Sequence, residues 1–521
     1  PSRSVVPSTM IIYSLLLICA SIYLILRYIY SYWDRHGLPN LKPDIPFGNI
    51  RAVALKQQSF GVALNALHAK TTGQLVGIYL LFRPAILIRD AHLAHRIITS
   101  DFNYFHDRGV HCDESSDPFS AHLFALPGKR WRNLRNKLTP TFTAGQLRGM
   151  LPTILTVGRK FQGFLEPKAK RGEVIEARDL ISRFVLEIVA SVFFGYEINS
   201  IHDPEDSFRT VLRSFREDNH VTNLRTVGAF LCPTLLKVSR VKTVPEVVDN
   251  FVNKIIREQI EFREKNNVTR KDFIQLLIDL RREKSDFGLS LEQCAANVFL
   301  FYVAGADTST DAITYTIHEL THRPDLMKKV QAEIDDALEK SNGEINYDVL
   351  HEMKLLDNCV KETLRKYPFP ILNRECTQDY QVPDSKLIIR KGTPVIIPLQ
   401  AFGMSEEYFP EPNRYLPERF DSSTKNYDEK AYIPFGDGPR NCIGMFRQAS
   451  WKTLTSLLCY STQTGSRMGS AVSKIGIIML LSKFNFEATQ GAEIGFARAQ
   501  IALAPENGIF LKISNRIRNS I

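Results

Sequence analysis

The stretch Phe435-Gly-Asp-Gly438-Pro-Arg440-Asn-Cys442-Ile-Gly444 constrains the fold of this chain more than any other. Gly438 and Gly444 lack a Cβ and so let backbone come close to a large flat ligand. Arg440 can pair with an acidic group on such a ligand, and Phe435 can cover the sulfur. Cys442 follows a turn and stands before an expected helix, where orphan amides and the helix dipole favour a thiolate. The other cysteines, Cys19, Cys112, Cys232, Cys294, Cys359, Cys376 and Cys459, are scattered, and none forms a Cys-x-x-Cys pair. That pattern speaks against a disulfide framework and a zinc cage, and it suits a reducing compartment. A functional cysteine here acts alone. A thiolate shielded by glycine backbone, with no second cysteine or histidine nearby, fits a single axial ligand to a haem iron.

The rest of the chain is mainly helical with small β-sheets. Arg178 to Phe194 and Val247 to Phe262 carry apolar residues at helical spacing. Ser290-Leu-Glu-Gln293 is a capping-box start, followed by a very apolar helix to about Leu320. Arg323-Pro324 opens a further helix through Glu339, with proline at its favoured first position. Val349 to Lys366 is expected as one helix. Strands are expected at Val76–Tyr79, Ala85–Arg89, Leu387–Ile389, Pro394–Pro398 and Gly508–Ile513. With 44% hydrophobic and 23% charged residues, the 521-residue chain is globular rather than disordered. Its net charge of +10 suits acidic partners or anionic lipid. No basic stripe suggests nucleic acid as a partner.

The N-terminus is a membrane signal. Met10 to Leu26 carries no charge, and Tyr28, Tyr30, Tyr32 and Trp33 read as an interfacial edge. Arg27, Arg35 and Lys42 follow, which places the body of the protein in the cytosol by the positive-inside rule. A cleaved signal peptide is the rival reading; the aromatic and basic flank favours an anchor. Met10 is a candidate start, residues 1–9 then being a gene-model artefact. The expected organisation is a transmembrane anchor over 10–33, a proline-rich linker over 34–46 and one large catalytic domain over 47–521. The prolines of Leu38-Pro-Asn-Leu-Lys-Pro-Asp-Ile-Pro46 stiffen that linker.

Three further patterns accompany the cysteine loop. Ala304-Gly305-Ala306-Asp307-Thr308-Ser309 is a polar cluster inside an apolar helix, costly unless paired or used. Glu362-Thr-Leu-Arg365 puts both charges on one helix face, with Pro417-Glu-Arg419-Phe420 downstream. Trp131-Arg-Asn-Leu-Arg135 spaces an indole and a guanidinium one turn apart, and a guanidinium suits a carboxylate bidentately. With the cysteine loop, which has the form FxxGxRxCxG, these patterns resemble the cytochrome P450 family, over essentially the whole chain from Met10. Segments such as Trp131–Phe142 look most like its microsomal insect members associated with detoxification.

The resemblance implies a single haem domain behind a membrane helix, with haem b as cofactor and Cys442 as the iron ligand. It implies that Trp131, Arg135, Arg374 and Arg440 hold the haem propionates. Phe435, Gly438 and Gly444 shape the cysteine loop, and Gly305 lets the helix pass the haem. It implies that Asp307 and Thr308 relay protons, and that Glu362, Arg365 and Arg419 brace the fold. The implied reaction is NADPH-supported monooxygenation of hydrophobic small molecules by molecular oxygen. Lacking a flavin or GxGxxG motif, the chain would take electrons from NADPH–cytochrome reductase in the endoplasmic reticulum membrane, where membrane lipid is a further partner. An oxygen-independent peroxide-rearranging relative is the first alternative, and Thr308 argues against it. A non-catalytic haem binder is the second, kept open by one fault. Phe446 to Met468 separates Cys442 from the helix expected near Gly469–Ile477, so 446–468 reads as an insertion or a gene-model artefact. Expected pocket positions are Phe105 to Phe124, Phe299–Ala304 and Ile371–Leu372.

Overall fold

The computed structural model describes residues 8–215, 217, 219–270, 272–282, 289–444, 468–498 and 501–517. Most of the segment 446–468 lies outside them.

The organising element is the central helix Leu291–Thr321. The expected capping box starts it: Gln293 N donates to Ser290 Oγ at 3.2 Å, and Ser290 N donates to Gln293 Oε1 at 3.0 Å. Two orphan donors of the first turn are thereby satisfied. The helix is apolar nearly all round and is correspondingly buried. It packs against Ala177–Phe193, Met468–Leu481, Lys354–Lys366 and Glu246–Asn266. Gly476 marks a close crossing, where a Cβ would come within 2.6 Å of Ile313 Cδ1.

Pro324–Lys340 starts at its proline as expected. The single helix expected over Val349 to Lys366 is two, Val349–Glu352 and Lys354–Lys366, broken at Met353. The reason is tertiary. Glu333 accepts hydrogen bonds from Leu355 N and Leu356 N, both at 2.8 Å, and so caps a new helix start from a neighbouring helix.

A four-stranded sheet runs in the order Leu75–Leu80, Arg83–Ile88, Pro394–Pro398, Ile371–Glu375. Its central pairing is parallel and the outer two are antiparallel. The expected strand near Gly508–Ile513 lies at Phe510–Asn515, between Val174–Glu176 and Phe484–Ala488, two short strands that periodicity does not reveal. Tyr380–Gln381 and Ile388–Ile389 form a small ribbon.

The N-terminal helix Ser8–Tyr30 contains a 19-residue stretch, Ile12–Tyr30, long and apolar enough to cross a membrane. At its end, two residues read as an interfacial edge, Tyr30 and Trp33, are buried against the protein. Trp33 is only 2% exposed. Its Nε1 donates to Ile78 O at 2.9 Å, and Tyr79 OH donates to Tyr30 O at 2.8 Å. Gly77 admits the indole, since a Cβ there would stand 2.6 Å from Trp33 Cγ. The proline segment is docked too: Gly77 N donates to Pro39 O at 2.7 Å, and Leu41 N to Gly77 O at 3.0 Å. Tyr30 and Trp33 are thus part of the packed protein, with the indole N–H satisfied on a sheet carbonyl.

Candidate active site

The cysteine loop is held by its own backbone. Cys442 N donates to Phe435 O at 2.9 Å, closing the loop between the two. Gly438 sits at φ +70°, and a Cβ there would lie 1.8 Å from Ile98 O. Glycine is required on both counts, strain and space. Gly436, at φ +69°, meets Leu372 instead, at 3.4 Å. Cys442 is exposed and Gly444 partly so. Among the described residues, the next helix begins only at Met468, so the expected helix N-terminus directly behind Cys442 is not among them.

Arginines from separate parts of the chain converge beside this loop. Arg135 clamps it, with Nη1 donating to Asn441 O at 2.8 Å and Nη2 to Asn441 Oδ1 at 2.9 Å. Arg440 donates from Nη2 to Leu126 O at 2.6 Å and from Nη1 to Phe124 O at 3.2 Å, and lies 4.2 Å from the Trp131 ring centroid. Arg374, fully buried on Ile371–Glu375, donates from Nη1 to its neighbour Asn373 O at 2.8 Å. Arg108, which sequence reasoning missed, reaches Asn373 Oδ1 at 3.3 Å and Arg440 O at 3.4 Å, and lies 4.1 Å from the Phe124 ring centroid.

These cations are poorly compensated. Nε of Arg108, Nε and Nη2 of Arg374 and Nε of Arg440 are buried without hydrogen-bond partners. Asp107 is their one carboxylate partner among the described residues, at 3.4 Å from Arg440. Burial first, then neighbouring Arg108 in the same sense, lowers the basicity of Arg440 to about 9. Burial likewise brings Arg108 to about 10, against the opposing field of Cys442. Burial, then Arg108 and Arg440, hold Arg374 well below the usual arginine value. Burial also lowers Arg135, again opposed by Cys442. Unsatisfied buried donors cost roughly 1–3 kcal/mol each. A cluster of this kind calls for an anion with more than one carboxylate.

The central helix carries the polar cluster Ala304–Ser309. From Cys294 to Leu320 it is buried or half-buried, apart from Ala304 and Thr308, which are exposed one turn apart on one face. Gly305 between them meets no other atom within 4 Å of an added Cβ. Thr308 Oγ1 donates to Ala304 O at 2.7 Å, so its proton is committed to the helix while its oxygen can still accept. A lone thiol, buried guanidiniums with unmet donors and an apolar helix opened at a glycine together fit a haem with two propionates.

Aromatic side chains cluster at Phe299 and at Phe124, two of the expected pocket positions. Phe299 lies 5.2 Å from Phe215 and 5.9 Å from Phe119, and Phe124 lies 6.1 Å from Phe230. Of the expected pocket positions, Phe105 faces elsewhere: it is fully buried against Tyr380 in the core under the four-stranded sheet.

Glu362, Arg365 and Arg419 meet in a buried network below the site. Arg365 donates from Nε and Nη2 to the Glu362 carboxylate at 2.7 and 2.8 Å, and Arg419 Nε donates to it at 3.2 Å. Leu416 N adds a donor at 2.9 Å. Arg365 Nη1 also donates to Gly403 O at 2.6 Å, which ties the helix Lys354–Lys366 to the chain beyond the sheet.

The family model for cytochrome P450 matches residues 39–446. Cytochrome P450 6d3 of Musca domestica is 40% identical over 540 aligned positions, covering 98% of this chain and 100% of its own length. Probable cytochrome P450 6d4 of Drosophila melanogaster is 39% identical over 510 positions, covering 94% and 95%. Cytochrome P450 6d1 of Musca domestica is 37% identical over 525 positions, covering 95% and 98%. The chain therefore belongs to the cytochrome P450 family, haem-thiolate monooxygenases that carry haem b and use a redox partner, dioxygen and hydrophobic substrates.

Proposed function

We propose that this protein is an endoplasmic-reticulum monooxygenase supported by NADPH through the membrane-bound NADPH–cytochrome reductase. One oxygen atom enters a hydrophobic small molecule, a xenobiotic or an endogenous lipophile, and the other leaves as water. The observation that carries the reading is the convergence of unmet guanidinium donors on Arg108, Arg374 and Arg440 beside Cys442. Bound haem supplies the oxidising chemistry, which a thiolate ligand favours by pushing electron density toward the iron.

In this reading Cys442 is the iron ligand, and Arg108, Arg135, Arg374, Arg440 and the Trp131 N–H hold the propionates. Phe435, Gly438 and Gly444 set the loop, and Gly305 admits the cofactor to the helix. Asp307 and Thr308 move protons, Thr308 by accepting at the oxygen left available beyond its bond to Ala304 O. Glu362, Arg365 and Arg419 hold the frame on which the loop rests. The aromatic clusters at Phe299 and Phe124 support apolar substrates. The apolar helix, with Arg27 in its last turn and Arg35 and Lys42 behind it, supports an anchor with the domain on the cytosolic side. Membrane lipid is thus a partner.

The decisive test is the reduced carbon-monoxide difference spectrum of the full chain in membranes and of Cys442→His. The wild type is expected to show the thiolate band and the variant to lose it. A thiolate band that survives the substitution refutes the assignment.

The segment 446–468 is proposed to be a retained short intron or gene-model artefact. The family match ends at residue 446, where the extra segment begins. Sequencing of the transcript across this junction decides the point, and a dominant message encoding Phe446–Met468 overturns it.

A further inference from the structure

We propose that His95 and Asp437 are a positioning pair for the iron ligand, a hydrogen-bonded contact that holds the turn ahead of Cys442 against the helix Ala91–Ile98. The inference rests on the reading of Cys442 as the iron ligand and adds to it what keeps the thiol in register. The form FxxGxRxCxG leaves position 437 open, so the motif gives Asp437 no role.

Asp437 is a carboxylate inside the cysteine loop with only 9% of its surface exposed. A charge so enclosed is costly unless it is paired. Its two oxygens are used in different directions. Oδ1 accepts from Gly438 N at 2.7 Å, within the loop. Oδ2 accepts from His95 Nε2 at 3.2 Å, outside it. An ionised carboxylate only accepts, so the proton of this second bond belongs to Nε2. The side chains of His95 and Asp437 are 28% and 12% exposed, which shields the bond in part from water.

The helix that presents His95 is firmly seated. Asp90 Oδ1 caps it by accepting from Leu93 N at 2.6 Å, and Ala94, Ile97 and Ile98 are fully buried. His95 and Ile98 are three residues apart and so share one face. Both meet the loop. Ile98 O stands close enough to exclude a Cβ on Gly438, and His95 holds the residue before it. The carbonyl contact only limits how near the loop can come. The bond from His95 supplies the attraction that keeps it there. What is held leads directly to the thiol. Asn441 N donates to Gly438 O at 3.1 Å, and Cys442 N donates to Phe435 O at 2.9 Å. Asp437 and Gly438 lie inside that closure, so a shift of either moves Cys442. Arg135 fastens the far end of the turn at Asn441. The turn is therefore gripped from two helices, and the thiol follows it by one residue.

The test uses the full chain with haem in membranes, as wild type, His95→Ala, His95→Lys, Asp437→Ala and the double variant His95→Ala/Asp437→Ala. The rate at which the reduced carbon-monoxide complex loses its thiolate band is measured, beside the melting midpoint of the oxidised holoenzyme. His95→Ala is expected to speed the loss about tenfold, the worth of a hydrogen bond to a charged group. His95→Lys, which returns a cationic donor, should stay within about threefold of wild type. The double variant should be no faster than Asp437→Ala, since both changes remove the same bond. Effects that multiply in the double variant, or a His95→Ala rate equal to wild type, overturn the proposal. So does a lower melting midpoint with an unchanged rate, which is the mark of a brace that does not reach the ligand. If Asp437→Ala takes up no haem, the contrast between His95→Ala and His95→Lys decides alone. A thiolate band that survives Cys442→His sinks the ligand reading and the proposal with it. A band that depends on Cys442 but not on His95 sinks the proposal alone.

Discussion

Replacing Glu362 by alanine tests the frame under the cysteine loop. Glu362 and Arg365 are 0% exposed at the side chain and Arg419 is 2% exposed. The substitution strands two guanidiniums that keep no charged partner: Gly403 O, Arg414 O and the Met404 sulfur remain for Arg365, and chiefly Pro410 O for Arg419. Breaking a buried ion pair by removing one partner costs ~3–5 kcal/mol, and the orphaned Leu416 N–H adds about 1 kcal/mol. The sum, about 4–6 kcal/mol, is a large share of the 5–15 kcal/mol by which proteins are typically stable. An unfolding entropy of ~2.1 cal/mol/K per residue over 521 residues is about 1 kcal/mol/K. The melting midpoint should thus fall by on the order of 5 °C, with less haem retained on expression. Glu362→Gln, which keeps the shape and one acceptor, should fall by about half as much. The assay is loss of the haem absorbance band on heating at fixed scan rate, with the carbon-monoxide spectrum as a measure of intact enzyme. A midpoint for Glu362→Ala within about 1 °C of wild type would falsify the view that the network is a buried and mutually dependent unit.

Gly438→Ala should displace the cysteine loop, because its Cβ would lie 1.8 Å from Ile98 O; haem content of the purified variant should drop severalfold, and full occupancy counts against the close approach. His122 is largely enclosed and has its Nδ1 unpartnered, and burial lowers its pKa from 6.5 to about 4. The unfolded chain therefore binds the proton first, and stability should be full above pH 6.5 and decline as pH falls toward 4, by about 3–4 kcal/mol at ~1.4 kcal/mol per unit. Denaturant midpoints across that window should flatten in His122→Asn, and an unchanged slope counts against the histidine. Deleting residues up to Arg27 should release the protein from membranes with its melting midpoint near wild type. Deleting through Leu41 also removes Trp33, worth roughly 3–5 kcal/mol as a buried aromatic, and equal midpoints for the two truncations would contradict the docking of Trp33 on the sheet.

Much of this protein is legible before any tertiary structure. The apolar N-terminal helix, the capping box at Ser290, the proline start at Pro324 and the Glu362–Arg365 pairing are local. Each is decided within one or two turns by hydrogen bonds and spacing that the residues themselves carry. The cysteine loop is legible for the same reason, since its glycines and its single thiol state the chemistry in ten consecutive positions.

Other features exist only after distant segments meet. Arg108 carries no motif and becomes a site residue because its loop lies over Asn373 and Arg440. Met353 ends a helix that periodicity continues, because Glu333 offers its carboxylate to the next first turn. Trp33 has the composition of a membrane edge, and a bare Gly77 on the adjoining strand draws it into the protein instead. Asp311 and Arg178 look like surface charges until two helices cross and leave them mostly enclosed. In each case the deciding energy is a desolvated contact between residues far apart in the chain. No local pattern encodes it, because the partner is chosen by how the elements pack.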